Sequence, residues 1–295
     1  MDAKTPQHER ALADDLTELD APAALRDETG SAKATIADSN RLAFGDPEFM
    51  ARRETRGIRF QLELLKPDLG QQAQGIEHTI VVYGSARFVD METAQARLAQ
   101  AEASHDAAQL RTAQRDMRNA VRYENARAFA RLVSAYTLRQ PADQRLYICT
   151  GGGPGIMEAA NRGAYDAGAP NVGLNILLPH EQGGNAYISP GLSFKFHYFA
   201  LRKMHFMMRA KALVAFPGGF GTMDELFEVL TLVQTTKVKP VPIILFDSDF
   251  WKRLFNFDLL VEEGMISPED LQLFHFVDTP EAAWRIIQDF YQLED

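Results

Sequence analysis

Ala212-Leu213-Val214-Ala215-Phe216-Pro217-Gly218-Gly219-Phe220-Gly221-Thr222-Met223-Asp224-Glu225 reads as a buried strand, a glycine turn and the start of a helix. An apolar run of five that stops at Pro-Gly-Gly is short enough for a strand covered on both faces. The stretch after Gly221 is helical in character to about Thr235. The same syntax occurs upstream. Leu146-Tyr147-Ile148-Cys149-Thr150 is followed by Gly151-Gly152-Gly153-Pro154-Gly155 and a helix from Ile156 to Ala167, closed by Gly168. Thr79-Ile80-Val81-Val82-Tyr83 stops at Gly84-Ser85.

Further strands are predicted at Asn171 to Leu178, Val241 to Phe246 and Phe274 to Val277. Helices are predicted from Tyr198 to Arg209, Phe250 to Glu263 and Pro280 to Tyr291. The Ala-, Gln- and Arg-rich stretch from Glu92 to Leu138 is helical, with a break near His105-Asp106. Strands alternating with helices predict a Rossmann-like α/β fold, a doubly wound parallel sheet preceded by an N-terminal helical extension. Residues 1–45 read as a flexible extension, 46–75 as a helical segment and 76–295 as the nucleotide-binding domain. Asp46 is the predicted N-cap and Pro47 the first residue of the helical segment, and Pro67 is predicted to end it.

The chain has 295 residues, 46% of them apolar, enough for a full core. Its formal net charge of −9 argues against nucleic acid or an anionic membrane as partner. Cys149 is the only cysteine, so neither an internal disulfide nor a cysteine metal site is available, and it reads as a buried apolar side chain. No signal peptide is read at the N-terminus and no run approaches a membrane span, so the expected location is the cytoplasm.

The two glycine turns, at 150–155 and 217–222, each lie between a strand and a helix. Glycines allow close backbone approach, and the helix start offers free N–H groups and the positive end of its dipole, a natural seat for a phosphate. Thr222 can add a hydroxyl. Neither turn is followed by the Lys-Ser or Lys-Thr of a nucleoside-triphosphate loop. The first lacks the third glycine of a dinucleotide fingerprint, so no redox cofactor is expected. Glu225 either caps its helix or faces the phosphate and stabilises positive charge developing on a sugar. The basic cluster Lys195, Arg202, Lys203, Arg209 and Lys211 is either a solvated helix face or part of the site. The run Phe194-Lys195-Phe196-His197-Tyr198-Phe199 either stacks on a base or fills the core, and His197 reads as a core residue rather than a catalyst.

Thr150-Gly151-Gly152-Gly153-Pro154-Gly155-Ile156-Met157-Glu158-Ala159-Ala160-Asn161, Arg202-Lys203, and Pro217 through Glu225 together resemble the LONELY GUY (LOG) family. Its members are cytokinin riboside 5'-monophosphate phosphoribohydrolases, often mislabelled lysine decarboxylases. The resemblance covers about residues 76–292, and the part from Asp46 looks like the longer bacterial branch. It implies hydrolysis of a nucleoside 5'-monophosphate (AMP or a cytokinin riboside monophosphate) to free base and ribose 5-phosphate, with no cofactor and no metal, in a homodimer or higher homo-oligomer. By position it implies Arg202 and Glu225 as catalytic residues. The phosphate and nucleotide set is Gly218, Gly219, Gly221, Thr222, Gly84, Ser85, Gly151, Gly152, Gly153 and Lys203. The stretch from about Phe88 to Arg139 is an insertion relative to the family. No lysine here is placed for the Schiff base that decarboxylase chemistry needs. A nucleotide or molybdenum-cofactor carrier on the same scaffold is the alternative function. A DNA-processing protein is disfavoured by the acidic charge.

Overall fold

The computed structural model describes residues 41–177 and 183–294. Most of the predicted 1–45 extension, with the short helix its sequence suggests near Glu9 to Leu19, lies outside them. The chain divides into two compact units, 1–65 and 66–295. In the described part of the first, Asp46 caps α1 (Pro47–Met50) by accepting from the amides of Glu48 and Phe49. The Arg59 guanidinium then donates to the carbonyls of Met50 and Arg52, satisfying acceptors that a short helix leaves open.

Helix α2 (Arg56–Ala73) runs through Pro67 rather than ending there, which corrects the sequence expectation. Proline removes one backbone donor and crowds the preceding turn. Tertiary contacts of the following turn offset that cost. Pro67 and Gln71 are buried, and Arg209 grips Asp68 by an ion pair of 2.6 Å and also donates to the carbonyl of Ile76.

The second unit holds a seven-stranded sheet, β1 (Thr79–Tyr83), β2 (Tyr147–Thr150), β3 (Asn171–Ile176), β4 (Ser193–Phe196), β5 (Ala210–Ala215), β6 (Ile243–Phe246) and β7 (Phe274–Val277). The order is β4-β3-β2-β1-β5-β6-β7 and every neighbouring pair is parallel. The fold is therefore the expected Rossmann-like doubly wound sheet. The chain steps outward from β1 to β4, then restarts on the other side of β1 at β5. Carboxyl ends flanking such a switch point, here between β1 and β5, form a ligand-binding crevice.

Both faces are covered. Ile80, Val82, Ile148 and Val214 pack under α4 (Ala107–Arg139), α5 (Ile156–Asp166) and α10 (Pro280–Tyr291). Val81, Tyr83, Cys149, Leu213 and Ala215 face α6 (Phe199–Met208), α7 (Phe220–Gln234) and α8 (Ser248–Leu254). The predicted break near 105 is present: α3 (Met91–Ser104) ends at His105 in the left-handed region, and Asp106 caps α4.

One further element was not foreseen and one is corrected. The aromatic run does fill the core, as one of its two readings had it, but as a strand. The run from Phe194 is part of an edge strand, with Phe194 and Phe196 buried and Ser193 and Lys195 exposed. The predicted helix 250–263 is two helices, α8 and α9 (Phe257–Glu262), because Asn256 starts a new helix by capping the amide of Leu259. Among the described residues no helix is long and apolar enough to cross a membrane.

Candidate active site

The three glycine turns converge at the switch point. Phe216 donates its amide to the Tyr83 carbonyl at 2.9 Å, and Ser85 donates to the Pro217 carbonyl at 3.0 Å. The turns after β1 and β5 are thus hydrogen-bonded side by side. Ile156 donates to the Ser85 carbonyl at 3.0 Å, which joins the turn after β2 to the same group. Gly155, at φ 72°, allows this approach, since any Cβ there would collide with the Ser85 carbonyl oxygen.

The turn after β2 is held by a buried amide network. The Thr150 hydroxyl donates to Asn161 Oδ1 at 2.7 Å and accepts from the Gly152 amide at 2.9 Å. Asn185 brings its backbone amide to the Gly152 carbonyl at 2.8 Å and its side-chain amide to the Gly153 carbonyl at 3.1 Å. Sequence reasoning did not single out Asn185. It lies in an irregular segment, where no periodicity marks it.

In the turn after β5, the missing side chain of Gly218 leaves the space that the Thr222 side chain occupies, and Thr222 is buried. Gly219 and Gly221 differ: a Cβ at either would meet no atom within 4 Å. Their outer face is open to a ligand at the N-terminus of α7, a helix of 15 residues.

Arg202 and Glu225 meet behind these turns. Arg202 Nη2 donates to Glu225 Oε1 at 2.7 Å, and the residues are only 9% and 8% exposed. The guanidinium lies between the rings of Phe199 and Phe206, at 5.3 and 5.5 Å, which holds it in place. A Cβ on Gly151 would stand 3.8 Å from Arg202 Nη1, so Arg202 links the first glycine turn to α7. Burial pushes the Glu225 carboxyl up to about 7, and the Arg202 charge opposes that shift only in part. Tyr83, at the end of β1, is fully enclosed, and burial together with the Glu225 carboxylate raises its phenol well above the ordinary range. Sequence reasoning missed Tyr83, because a buried aromatic at a strand end carries no mark of its neighbours.

The rest of the predicted basic cluster disperses. Lys203 pairs with Asp224 at 2.7 Å and Glu228 at 3.0 Å, on the adjoining face of α7. Burial lowers its affinity for the proton, but the hydrogen bonds to those two carboxylates raise it more. Arg209 anchors α2, Lys195 lies on the edge strand, and Lys211 sits 5.4 Å from the Tyr291 ring. Cys149 is buried and its thiol is raised by desolvation, as its place in an apolar run suggested. Among the described residues no group of His, Cys, Asp and Glu is arranged to hold a metal ion.

A parallel doubly wound sheet with glycine turns at its switch point and a buried Arg–Glu pair beneath them defines a Rossmann-like α/β protein. Residues 157–287 match the family described as "Possible lysine decarboxylase". Cytokinin riboside 5'-monophosphate phosphoribohydrolase LOG3 of Arabidopsis thaliana is 29% identical over 143 residues, which are 48% of this chain and 65% of that protein. Probable cytokinin riboside 5'-monophosphate phosphoribohydrolase LOG4 of Oryza sativa subsp. japonica is 31% identical over 144 residues, 48% of this chain and 61% of the relative. The match thus spans somewhat less than two thirds of each relative. Among solved structures, the molybdenum cofactor binding protein of Rippkaea orientalis aligns with TM-score 0.43 at 15% identity, over 72% of this chain and 95% of that one. Over about half of its length the chain is thus similar to proteins of the LONELY GUY family.

Proposed function

We propose that the protein hydrolyses the N-glycosidic bond of a nucleoside 5'-monophosphate of the AMP or cytokinin riboside monophosphate class. The observation that carries this reading is the Arg202–Glu225 pair, buried directly behind open glycine amides at a helix N-terminus. The relatives' names point to the same reaction.

The 5'-phosphate sits against Gly218, Gly219, Gly221 and Thr222, where free amides and the helix dipole favour an anion. The turns at Gly84-Ser85 and Gly151–Gly153 line the nucleotide, and Lys203 stands at the rim. The ribose then lies over Glu225. As the bond from C1' to the base nitrogen breaks, its electron pair leaves with the base and positive charge develops on the sugar. The Glu225 carboxylate stabilises that charge or orients the water whose oxygen bonds to C1'. The water's second proton ends on the base, and the products are free base and ribose 5-phosphate. Arg202 fixes the carboxylate and contacts substrate. No step requires a metal or a redox cofactor. We place the reaction in the cytoplasm and in a homo-oligomer.

The test is release of adenine from AMP by the purified protein, followed chromatographically, with adenosine as the unphosphorylated control. AMP is expected to be turned over and adenosine not. Glu225→Ala and Arg202→Ala should each lower turnover by about 100-fold or more, the usual effect of removing a group that stabilises developing charge. Activity that persists in both variants overturns the roles. Tight AMP binding without turnover overturns hydrolysis and makes the protein a nucleotide carrier.

A further inference from the structure

Helix α4 is 33 residues long and lies against the sheet for only part of that length. Its sheet-facing side carries Ala126, Phe129 and Val133, all buried against the sheet. At about 100° per residue, Arg111, Arg115, Arg118 and Arg122 fall within an arc of about 60° centred near the direction of Phe129. The face that packs on the sheet in the C-terminal half of α4 is therefore an arginine stripe in its N-terminal half. Arg122 marks where one becomes the other. Its Nη2 bonds Asp247 Oδ2 at 2.6 Å, immediately beyond the end of β6. It also lies 6.0 Å from the ring of Phe88, which follows β1, and 5.6 Å from that of Phe250, which follows β6. Since β5 lies between β1 and β6, Arg122 reaches across the end of the strand that leads into Pro217–Gly221.

Arg118, Arg115 and Arg111 continue beyond Arg122 for about 16 Å at 1.5 Å per residue, past the carboxyl edge of the sheet. All three are exposed, with the Arg115 side chain at 60%. Among the described residues no carboxylate pairs with Arg111 or Arg118. Asp116 lies toward the opposite side of α4, where Arg97 of α3 engages it at 2.9 Å, and Arg115 reaches its other oxygen at 3.6 Å across an exposed pair that holds little energy. Ala113 and Ala120, also buried, share that side and pack toward α3, so α3 leaves the stripe uncovered.

We propose that the Arg111–Arg115–Arg118 stripe is an electrostatic guide that draws phosphate monoesters to the glycine turn. This rests on the proposed function for the identity of the ligand. A chain of net charge −9 repels a phosphate dianion at long range, and a local positive row that starts at Arg122, between the ends of β1 and β6, offsets that repulsion on the side of the crevice where β5 ends. The row is short and single-file, and the global charge is acidic, so a small phosphorylated ligand fits it better than a polynucleotide.

Ribose 5-phosphate, the proposed product, is not consumed and serves as the probe. Its affinity is measured by calorimetry at about 20 and about 300 mM NaCl, a range over which screening changes from weak to strong. The wild type should bind more weakly at high salt. The variant combining Arg111→Gln, Arg115→Gln and Arg118→Gln should bind about three- to tenfold more weakly at low salt and lose most of the salt response. The corresponding triple lysine variant, which keeps the charge, should behave as wild type. Arg122 is left intact because it staples Asp247. An unchanged affinity and salt response in the glutamine variant overturns the guide. AMP turnover is assayed in parallel. Normal turnover with an unaltered probe affinity sinks the guide alone. A guide effect without turnover sinks the hydrolase reading alone. Failure of the wild type to bind ribose 5-phosphate sinks both.

Discussion

Glu225 combines two properties that pull against each other. A carboxyl buried on α7 is disfavoured as an anion, the charges of Arg202 and Lys203 offset that only in part, and its pKa rises from 4.5 to about 7. Between those values the folded protein holds a proton that the unfolded chain has released. Its effect on stability is therefore most favourable below about pH 4.5 and is lost as pH rises through 7. Glu225→Gln removes the titration. In urea unfolding at a series of pH values, the variant's stability relative to wild type should climb with pH by up to about 1.4 kcal/mol per unit across that window. A constant difference from pH 5 to 8 counts against the buried, proton-holding carboxyl. Catalysis on the proposed mechanism needs the anion, so wild-type kcat/KM for AMP should rise with pH and level off above about 7. A profile flat from pH 5.5 to 8 rules out the carboxylate as the working form. The residues themselves were legible, because Glu225 follows a glycine turn at fixed spacing and Arg202 lies in the basic helix before it. Their contact was not, since it depends on how α6 and α7 pack against each other. Lys203, adjacent in sequence to Arg202, falls on a different helix face and meets Asp224 and Glu228 instead.

Elements were readable wherever both faces are buried, because a continuous apolar run bounded by glycine suits a covered strand and little else. Strands β1, β2 and β5 announce themselves that way, and β3, β6 and β7 by shorter or mixed apolar runs between helices. Strand β4 does not, since an edge strand alternates Ser193, Phe194, Lys195, Phe196 and overlaps an aromatic run with other readings. Pro67 failed as a stop signal because the Arg209–Asp68 clamp lies outside any local window. Contact between α4 and α5 was equally hidden. Gly163 sits in the interior of α5, where glycine costs about 1 kcal/mol relative to alanine in an isolated helix. A Cβ there would strike the backbone carbonyl of Arg127 on α4, which cannot turn aside as a flexible side chain can. Gly163→Ala should therefore destabilise the protein, by about 1–3 kcal/mol, against the gain that helix propensity alone forecasts. Denaturant titration decides between them, and a variant as stable as wild type or more so shows that the two helices can separate without loss.

At the scale of the whole molecule, the sheet is two parallel halves meeting at β1 and β5, and the glycine turns lie across that seam. A ligand seated on α7 and touching the turns after β1 and β2 binds only when both halves are in place, so it stabilises the fold by mass action. At about 100 times its dissociation constant, ribose 5-phosphate should add about 2.7 kcal/mol, a rise in Tm of roughly 5–10 °C. Ribose, which lacks the phosphate, should add little. Gly219 separates ligand seat from structural turn. Its φ of −99° is open to any residue, and a Cβ would meet nothing within 4 Å. As the residue preceding the helix it caps modestly, so Gly219→Ala should cost less than about 1 kcal/mol by itself. The added methyl nevertheless occupies the face where phosphate oxygens would approach the amides. By differential scanning calorimetry the variant should melt near the wild-type temperature without ligand and lose most of the ribose 5-phosphate shift. A variant that melts much lower in the absence of ligand identifies the glycine as a purely structural requirement. One that keeps the full shift places the phosphate somewhere other than the start of α7.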